Sequence, residues 1–196
     1  MSNTKRQLIL ASTSVFRRDL LNRLQQPFAT VAPQTDETPL PGELPAALAE
    51  RLAHAKARAV ADRCPRSLVI GSDQVAVLGG EIIGKPGSHD RARAQLLRAA
   101  GNTMLFYTAL CLIDSDSGRT QQAVVNSKVW FRRLDQALIE RYLERDRPYQ
   151  SAGSFKSEGL GIALFERIEG DDPTALIGLP LIRLVTMLAA EGITVP

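Results

Sequence analysis

The stretch Leu68–Gly87, LVIGSDQVAVLGGEIIGKPG, constrains the fold more than any other part of the chain. A short apolar run, Ser67–Ile70, suits a buried strand, and it leads through Gly71-Ser72 into a carboxylate, Asp73. A second run, VAVL, meets Gly79-Gly80 and then EII, the pattern of a hairpin on a two-residue turn. A carboxylate at the tip of a buried strand has to be paired, metal-bound or exposed at an edge, because an uncompensated buried charge is very costly. Further on, Lys85 stands between Gly84 and Pro86, which restrict the backbone around it. On spacing alone, a structural ion pair between Asp73 and a lysine and a reactive set of groups are both open.

The rest of the chain alternates strands with helices. Leu8–Ala11 reads as a buried strand that stops at Ser12-Thr13-Ser14, whose hydroxyls suit the start of a helix through Leu24. Phe28–Ala32 reads as a strand, and Pro33–Pro45 as an acidic, proline-rich loop. Leu44, Leu48, Leu52, Ala55 and Ala59 recur at helical spacing. Ser88 and Asp90 open a helix to about Ala100, with Gly101 past its end. Met104–Ile113 and Gln121–Arg132 flank the turn DSDSG as two long strands, and Asp135–Arg145 follows as a helix. The glycine-rich SAGSFKSEGLG precedes a strand at Ile162–Arg167, and Pro180 opens a final helix, Leu181–Glu191, ended by Gly192. Two hairpins interleaved with helices predict an α/β fold, a mixed twisted sheet with flanking helices, in one domain over residues 1–196.

Composition narrows the function classes. The 196 residues carry a net charge of only +3, with Lys and Arg scattered, which argues against nucleic acid and suits a small polyanion. Cys64 and Cys111 form no C-x-x-C pair, so reduced thiols and a cytoplasmic location are expected. No run approaches the ~18 apolar residues of a membrane span. The absence of G-x-x-x-x-G-K-[ST] excludes a P-loop, and without a G-x-S-x-G elbow a Ser12–His54–Asp73 triad has no support. With no thiol or histidine cluster, a bound metal would sit among carboxylates and water, which favours Mg²⁺ or Mn²⁺ over zinc.

Two further constellations lie where strands end. STSVFRR, Ser12–Arg18, brings hydroxyls and free backbone N–H groups to a helix N-terminus, a ready anion site. Arg17 falls in the first turn, where the helix dipole disfavours a cation unless an anion is present. A plain N-cap with a solvated arginine is the alternative. TDET supplies Asp36 and Glu37, and Lys56 follows on the next helix; both can equally be solvated surface charges.

Taken in order, LILASTS-x-x-RR, DET, LA-x-x-KA, IGSDQV, GKP, FYT and AGSFKSEG with LFERIEG resemble the Maf family of nucleotide pyrophosphatases nearly end to end. The resemblance implies two lobes around a deep cleft, commonly a homodimer. It also implies hydrolysis of nucleoside triphosphates to monophosphate and pyrophosphate with a divalent cation. It casts Asp73 as general base and, with Glu37, as metal ligand; Ser12, Arg17, Lys56 and Lys85 would bind phosphate. Branches acting on dTTP and UTP carry arginine, threonine and glutamine where this chain has Phe16, Gln74 and Glu158. At these positions the chain resembles the branch that hydrolyses 7-methyl-GTP. An aromatic face suits a cationic 7-methylguanine ring, and a carboxylate can accept from N1–H and N2–H₂. Val15 departs from the proline of many members. A dTTP/UTP or broader pyrophosphatase, or a non-catalytic protein binding nucleic acid or a division partner, are the alternatives. Arg18, Gln150 and Lys156 have no assigned role.

Overall fold

The computed structural model describes residues 6–196. Its strands are β1 (Gln7–Ala11), β2 (Phe28–Val31), β3 (Ser67–Leu78), β4 (Glu81–Ile83), β5 (Thr103–Asp114), β6 (Thr120–Phe131) and β7 (Phe165–Glu169). Its helices are α1 (Val15–Asn22), α2 (Pro45–Ala61), α3 (His89–Ala99), α4 (Gln136–Asp146) and α5 (Leu181–Ala190). The strands form one seven-stranded sheet in the order β2-β1-β3-β5-β6-β7, with β4 pairing β3 off that path. β1 runs parallel to β2 and β3, while β3, β5, β6 and β7 pair antiparallel, so the sheet is mixed as expected. Among the described residues no helix is long and apolar enough to cross a membrane.

The central strand departs from its sequence reading. The strand ending at Ile70 and the hairpin strand VAVL are one continuous element of 12 residues, β3. β5 supplies a partner for every residue from Leu68 (opposite Asp114) to Leu78 (opposite Met104), so Gly71-Ser72 stays extended and does not turn. Asp73 is therefore in the middle of a strand and not at its tip. The other edge of β3 is covered in two separate pieces. Its register with β1 ends at Leu10–Ile70, and that with β4 begins at Ala76–Ile83, so neither neighbour pairs with residues 71–75. Asp73 sits at the centre of that uncovered edge.

Side-chain alternation along β3 distributes the core. Val69, Val75 and Val77 join Ile9, Ala109, Cys111 and Ile113 beneath Leu48, Leu52, Ala53 and Ala57 of α2. On the opposite face Leu68 and Ile70 pack with Leu20 and Leu21 of α1 and Leu184 and Leu188 of α5. Farther along that same face, Ala76 and Leu78 belong to a third cluster with Leu96 of α3 and Ile139 and Leu143 of α4. Phe155 and Phe165 meet edge-to-face within it at 4.7 Å between ring centroids, a favoured aromatic geometry. Ser72 and Gln74 are the residues left between the two clusters on this face. Two lobes thus share β3, and the space between them opens beside Asp73.

The strand expected at Ile162–Arg167 also shifts. A 3-10 turn occupies Leu160–Leu164, and β7 begins only at Phe165, because pairing with β6 starts there, across an irregularity at Trp130/Phe131.

Candidate active site

Gly71 sets how closely α2 approaches β3. A Cβ at this position would stand 2.2 Å from the Ala53 carbonyl oxygen and 2.7 Å from the Ala57 backbone nitrogen. Only glycine allows the helix backbone to lie against the strand here. Lys56, next to Ala57, and Asp73, two residues along the same face of β3, are brought together by that contact. Lys56 Nζ is 2.6 Å from Asp73 Oδ1 and 2.6 Å from Glu37 Oε1. Lys56 and Asp73 are buried, at 6% and 8% exposure, whereas Glu37 is exposed. Lys56, not Lys85, is therefore the ion-pair partner of Asp73. Partial burial works to raise the Glu37 carboxyl, but the hydrogen bond and charge of Lys56, with Lys85 and Arg17 adding to them, hold it below its ordinary value.

A second cation arrives from the opposite side of the sheet. The Ser12 hydroxyl accepts from the Ser14 backbone at 3.0 Å, and Ser14 caps α1 by accepting from the Arg17 backbone at 3.4 Å. Arg17 donates Nε to the Gly178 carbonyl at 2.8 Å, and the single hydroxyl proton of Ser72 is within reach of that oxygen at 2.9 Å and of the Ala109 carbonyl at 2.8 Å. Burial pushes the Arg17 guanidinium pKa down, and the charges of Asp73 and Glu37 oppose that shift. Two carboxylates and two cations are thus electrostatically linked across the uncovered edge of β3.

Gln74 has a fixed orientation. The two hydrogens of its amide nitrogen are shared among Thr108 Oγ1 at 2.9 Å and the carbonyls of Ala175 and Leu176 at 3.0 and 3.1 Å. Thr108 gives its own hydroxyl proton to the Ala175 carbonyl at 2.9 Å, so it can only accept from Gln74. The amide oxygen is what remains to be offered to a ligand. Lys85 is on an exposed turn tied to the glycine-rich segment. Gln95 donates to the Gly84 carbonyl at 3.1 Å and accepts from Ser154 at 2.5 Å, and Gly87 donates to the Tyr149 carbonyl at 2.9 Å.

Nine of the residues singled out in the sequence line a single cleft of about 880 Å³, and Asp36 does not. Ser12, Arg17, Lys56 and Lys85 are there, as are the carboxylates of Glu37 and Asp73. Phe16, half-buried, Gln74 and the exposed Glu158 line it too. Gln150 is in the lining, whereas His54, Arg18 and Lys156 are not. Gly178, Ser72, Thr108 and Gln95 were not anticipated. Their contribution lies in which distant carbonyl or side chain they meet, and nothing in local spacing reports that.

Among the described residues no group of three or more His, Cys, Asp or Glu side chains is arranged to hold a metal ion. Two carboxylates nevertheless converge on one cationic nitrogen. Mg²⁺ commonly binds through one or two carboxylates, with phosphate and water oxygens completing its shell. The donor set therefore fits a cation that arrives with a polyphosphate.

The family model described as "Maf-like protein" matches residues 7–191. The chain belongs to the Maf family. A relative named 7-methyl-GTP pyrophosphatase in Polaromonas sp. is 55% identical over 193 residues, spanning 98% of this chain and 88% of that protein. One of the same name in Nitrosococcus oceani is 55% identical, spanning 94% of this chain and 93% of its own. Another, in Burkholderia thailandensis, is 57% identical, spanning 95% and 88%.

Proposed function

We propose that this Maf protein hydrolyses 7-methyl-GTP to 7-methyl-GMP and pyrophosphate. The observation that carries the reading is the buried Asp73, set on the uncovered edge of β3 inside a cleft that also gathers Arg17, Lys56 and Lys85. The names of the relatives support the same substrate.

A triphosphate brings a charge near −4 into the cleft, and Ser12, Arg17, Lys56 and Lys85 bind its oxygens. Lys56 has three ammonium donors, so it keeps its carboxylate partners while giving a hydrogen bond to phosphate. Asp73 orients a water molecule and takes its proton as the water oxygen bonds to the α-phosphorus. The bond from that phosphorus to the bridging oxygen breaks, and pyrophosphate leaves with its charge held by the lysines. Glu37 and Asp73 would hold Mg²⁺ or Mn²⁺, which when bound supplies further neutralisation of phosphate charge. Phe16 offers a face to the cationic ring, worth about 0.5–2 kcal/mol. Glu158 accepts from the N–H groups of the base, and Gln74 contributes its free amide oxygen. The same reading takes residues 1–196 as one catalytic domain, acting as a homodimer in the cytoplasm; sedimentation of the purified protein checks the dimer.

The test is a panel of 7-methyl-GTP, GTP, UTP and dTTP, with Mg²⁺, Mn²⁺ or chelator, followed by pyrophosphate and monophosphate release. Metal-dependent release with the highest kcat/KM on 7-methyl-GTP is expected. A higher value on UTP or dTTP overturns the base assignment, and no release on any nucleotide overturns the enzyme reading.

A further inference from the structure

Lys156 lies within the segment Phe155–Glu158, three of whose residues line the cleft, yet Lys156 itself does not. Its side chain runs to the C-terminal end of α4. Nζ donates to the Asp146 carbonyl at 2.5 Å and lies 3.6 Å from Asp146 Oδ1. A cation at the last turn of a helix is favoured by the helix dipole. The Lys156 backbone N–H donates to the Tyr142 hydroxyl, one turn earlier on α4, at 3.1 Å. Burial, with the Asp146 carboxylate beside it, pushes the Tyr142 phenol pKa up.

The Asp146 carboxylate is largely buried, with side-chain exposure of 14%, and its Oδ2 has no hydrogen-bond partner among the described residues. Lys156 is the cation held against it. The chain then closes tightly around the pair. A Cβ on Gly159 would stand 3.2 Å from Asp146 Oδ1, and one on Gly161 would stand 2.3 Å from the Lys156 carbonyl. Glu158 falls between these clamped points. Among the described residues its side chain accepts only from the Ser157 hydroxyl, at a long 3.4 Å, so its place in the cleft is set by the backbone that carries it. A largely buried carboxylate is penalised when it loses the one cation it meets among the described residues, which favours keeping this attachment.

We infer that Asp146 and Lys156 are positioning residues for base selection: their ion pair fixes where Glu158 stands and turns a lysine charge away from a subsite for a cationic ring. The inference rests on the functional reading above and goes beyond it, since neither residue touches the nucleotide. Asp146 neutralises Lys156 on the outer side of the segment, while the inner side presents Ser157 and Glu158 to the cleft.

GTP and 7-methyl-GTP carry the same phosphates and differ in one methyl group and the ring charge. Their kcat/KM ratio therefore reads the base subsite alone. Lys156→Met is expected to lower the 7-methyl-GTP preference about tenfold, because a displaced Glu158 no longer complements the ring charge that GTP lacks, and to leave kcat on GTP unchanged. Lys156→Arg restores the preference. Glu158→Gln lowers it in the same way, and adding Lys156→Met to Glu158→Gln lowers it no further, because both act through one carboxylate. If Lys156→Met does not fold, Asp146→Asn, which keeps the side-chain shape, takes its place with the same two outcomes. An unchanged ratio, or an equal loss on both nucleotides, overturns the inference. A wild-type protein without preference for 7-methyl-GTP overturns the functional reading instead, and the inference with it.

Discussion

Neutralising Asp73 leaves Lys56 with Glu37, also 2.6 Å away, so the lysine is not stranded as an unpaired buried charge. Asp73→Asn keeps the volume of the side chain and its pairing along β3. The variant is therefore expected to fold and to bind nucleotide, while turnover falls by roughly 10²-fold or more through loss of the base. Circular dichroism, nucleotide binding and pyrophosphate release measured on the same sample check this. Near-normal turnover would remove Asp73 from the chemistry. The importance of Asp73 is legible in the sequence, since a carboxylate beside an apolar run demands a partner. Which lysine answers it is not legible, because Lys56 and Lys85 both follow plausible motifs and only the approach of α2 separates them.

The approach of α2 to β3 belongs to a pair of elements and depends on the missing side chain of Gly71. Gly71→Ala puts a carbon 2.2 Å from the Ala53 carbonyl, a backbone atom that cannot rotate away, so the helix has to move. Overpacking of this kind costs about 1–3 kcal/mol. The shift also draws Lys56 off Asp73, so kcat/KM is expected to fall well beyond any change explained by unfolding. Thermal unfolding and kinetics below the melting range separate the two effects. An intact activity in a destabilised variant would show that the helix approach does not set the ion pair. The helices themselves are readable from the periodicity of Leu44 to Ala59 and from the caps Ser14, Ser88 and Asp135. The unbroken β3 is not, because Gly71-Ser72 ends the apolar run and only pairing with β5 keeps it extended.

Across the whole molecule, the lobe that carries Ser12, Arg17 and Lys56 is closed at its far end by a charge network. Arg6 bonds Asp114 at 3.0 Å and Glu191 at 2.9 Å, and Arg119 also bonds Glu191. Burial alone would raise both carboxyls. At Asp114 the hydrogen bonds of Ser117 and the Asp116 backbone, with Arg6, prevail; at Glu191 those of Arg119, Arg6 and Gln121 do. Both folded pKa values therefore lie below the unfolded ones. Their stabilisation is complete above the ordinary carboxylate range near pH ~4 and is lost as pH falls through the lowered folded values. Melting temperature should hold near neutrality and drop on acidification, with a shallower drop in Arg6→Ala. A pH dependence unchanged in that variant would remove Arg6 from the acid response.

The sequence by itself determined the types of most elements, the mixed sheet, nine of the side chains that line the cleft and the family. Those depend on side-chain period, on capping and turn chemistry, and on motif order, all of which are local. The tertiary structure decided that Asp73 lies at mid-strand on an uncovered edge and pairs with Lys56. It also decided that Gly178 meets Arg17 and Ser72, and that Lys156 faces α4 and not the cleft. Each of these depends on where one segment stops pairing and a distant one packs against it. That balance is settled by burial and backbone hydrogen bonding between parts of the chain far apart, and no residue carries it alone.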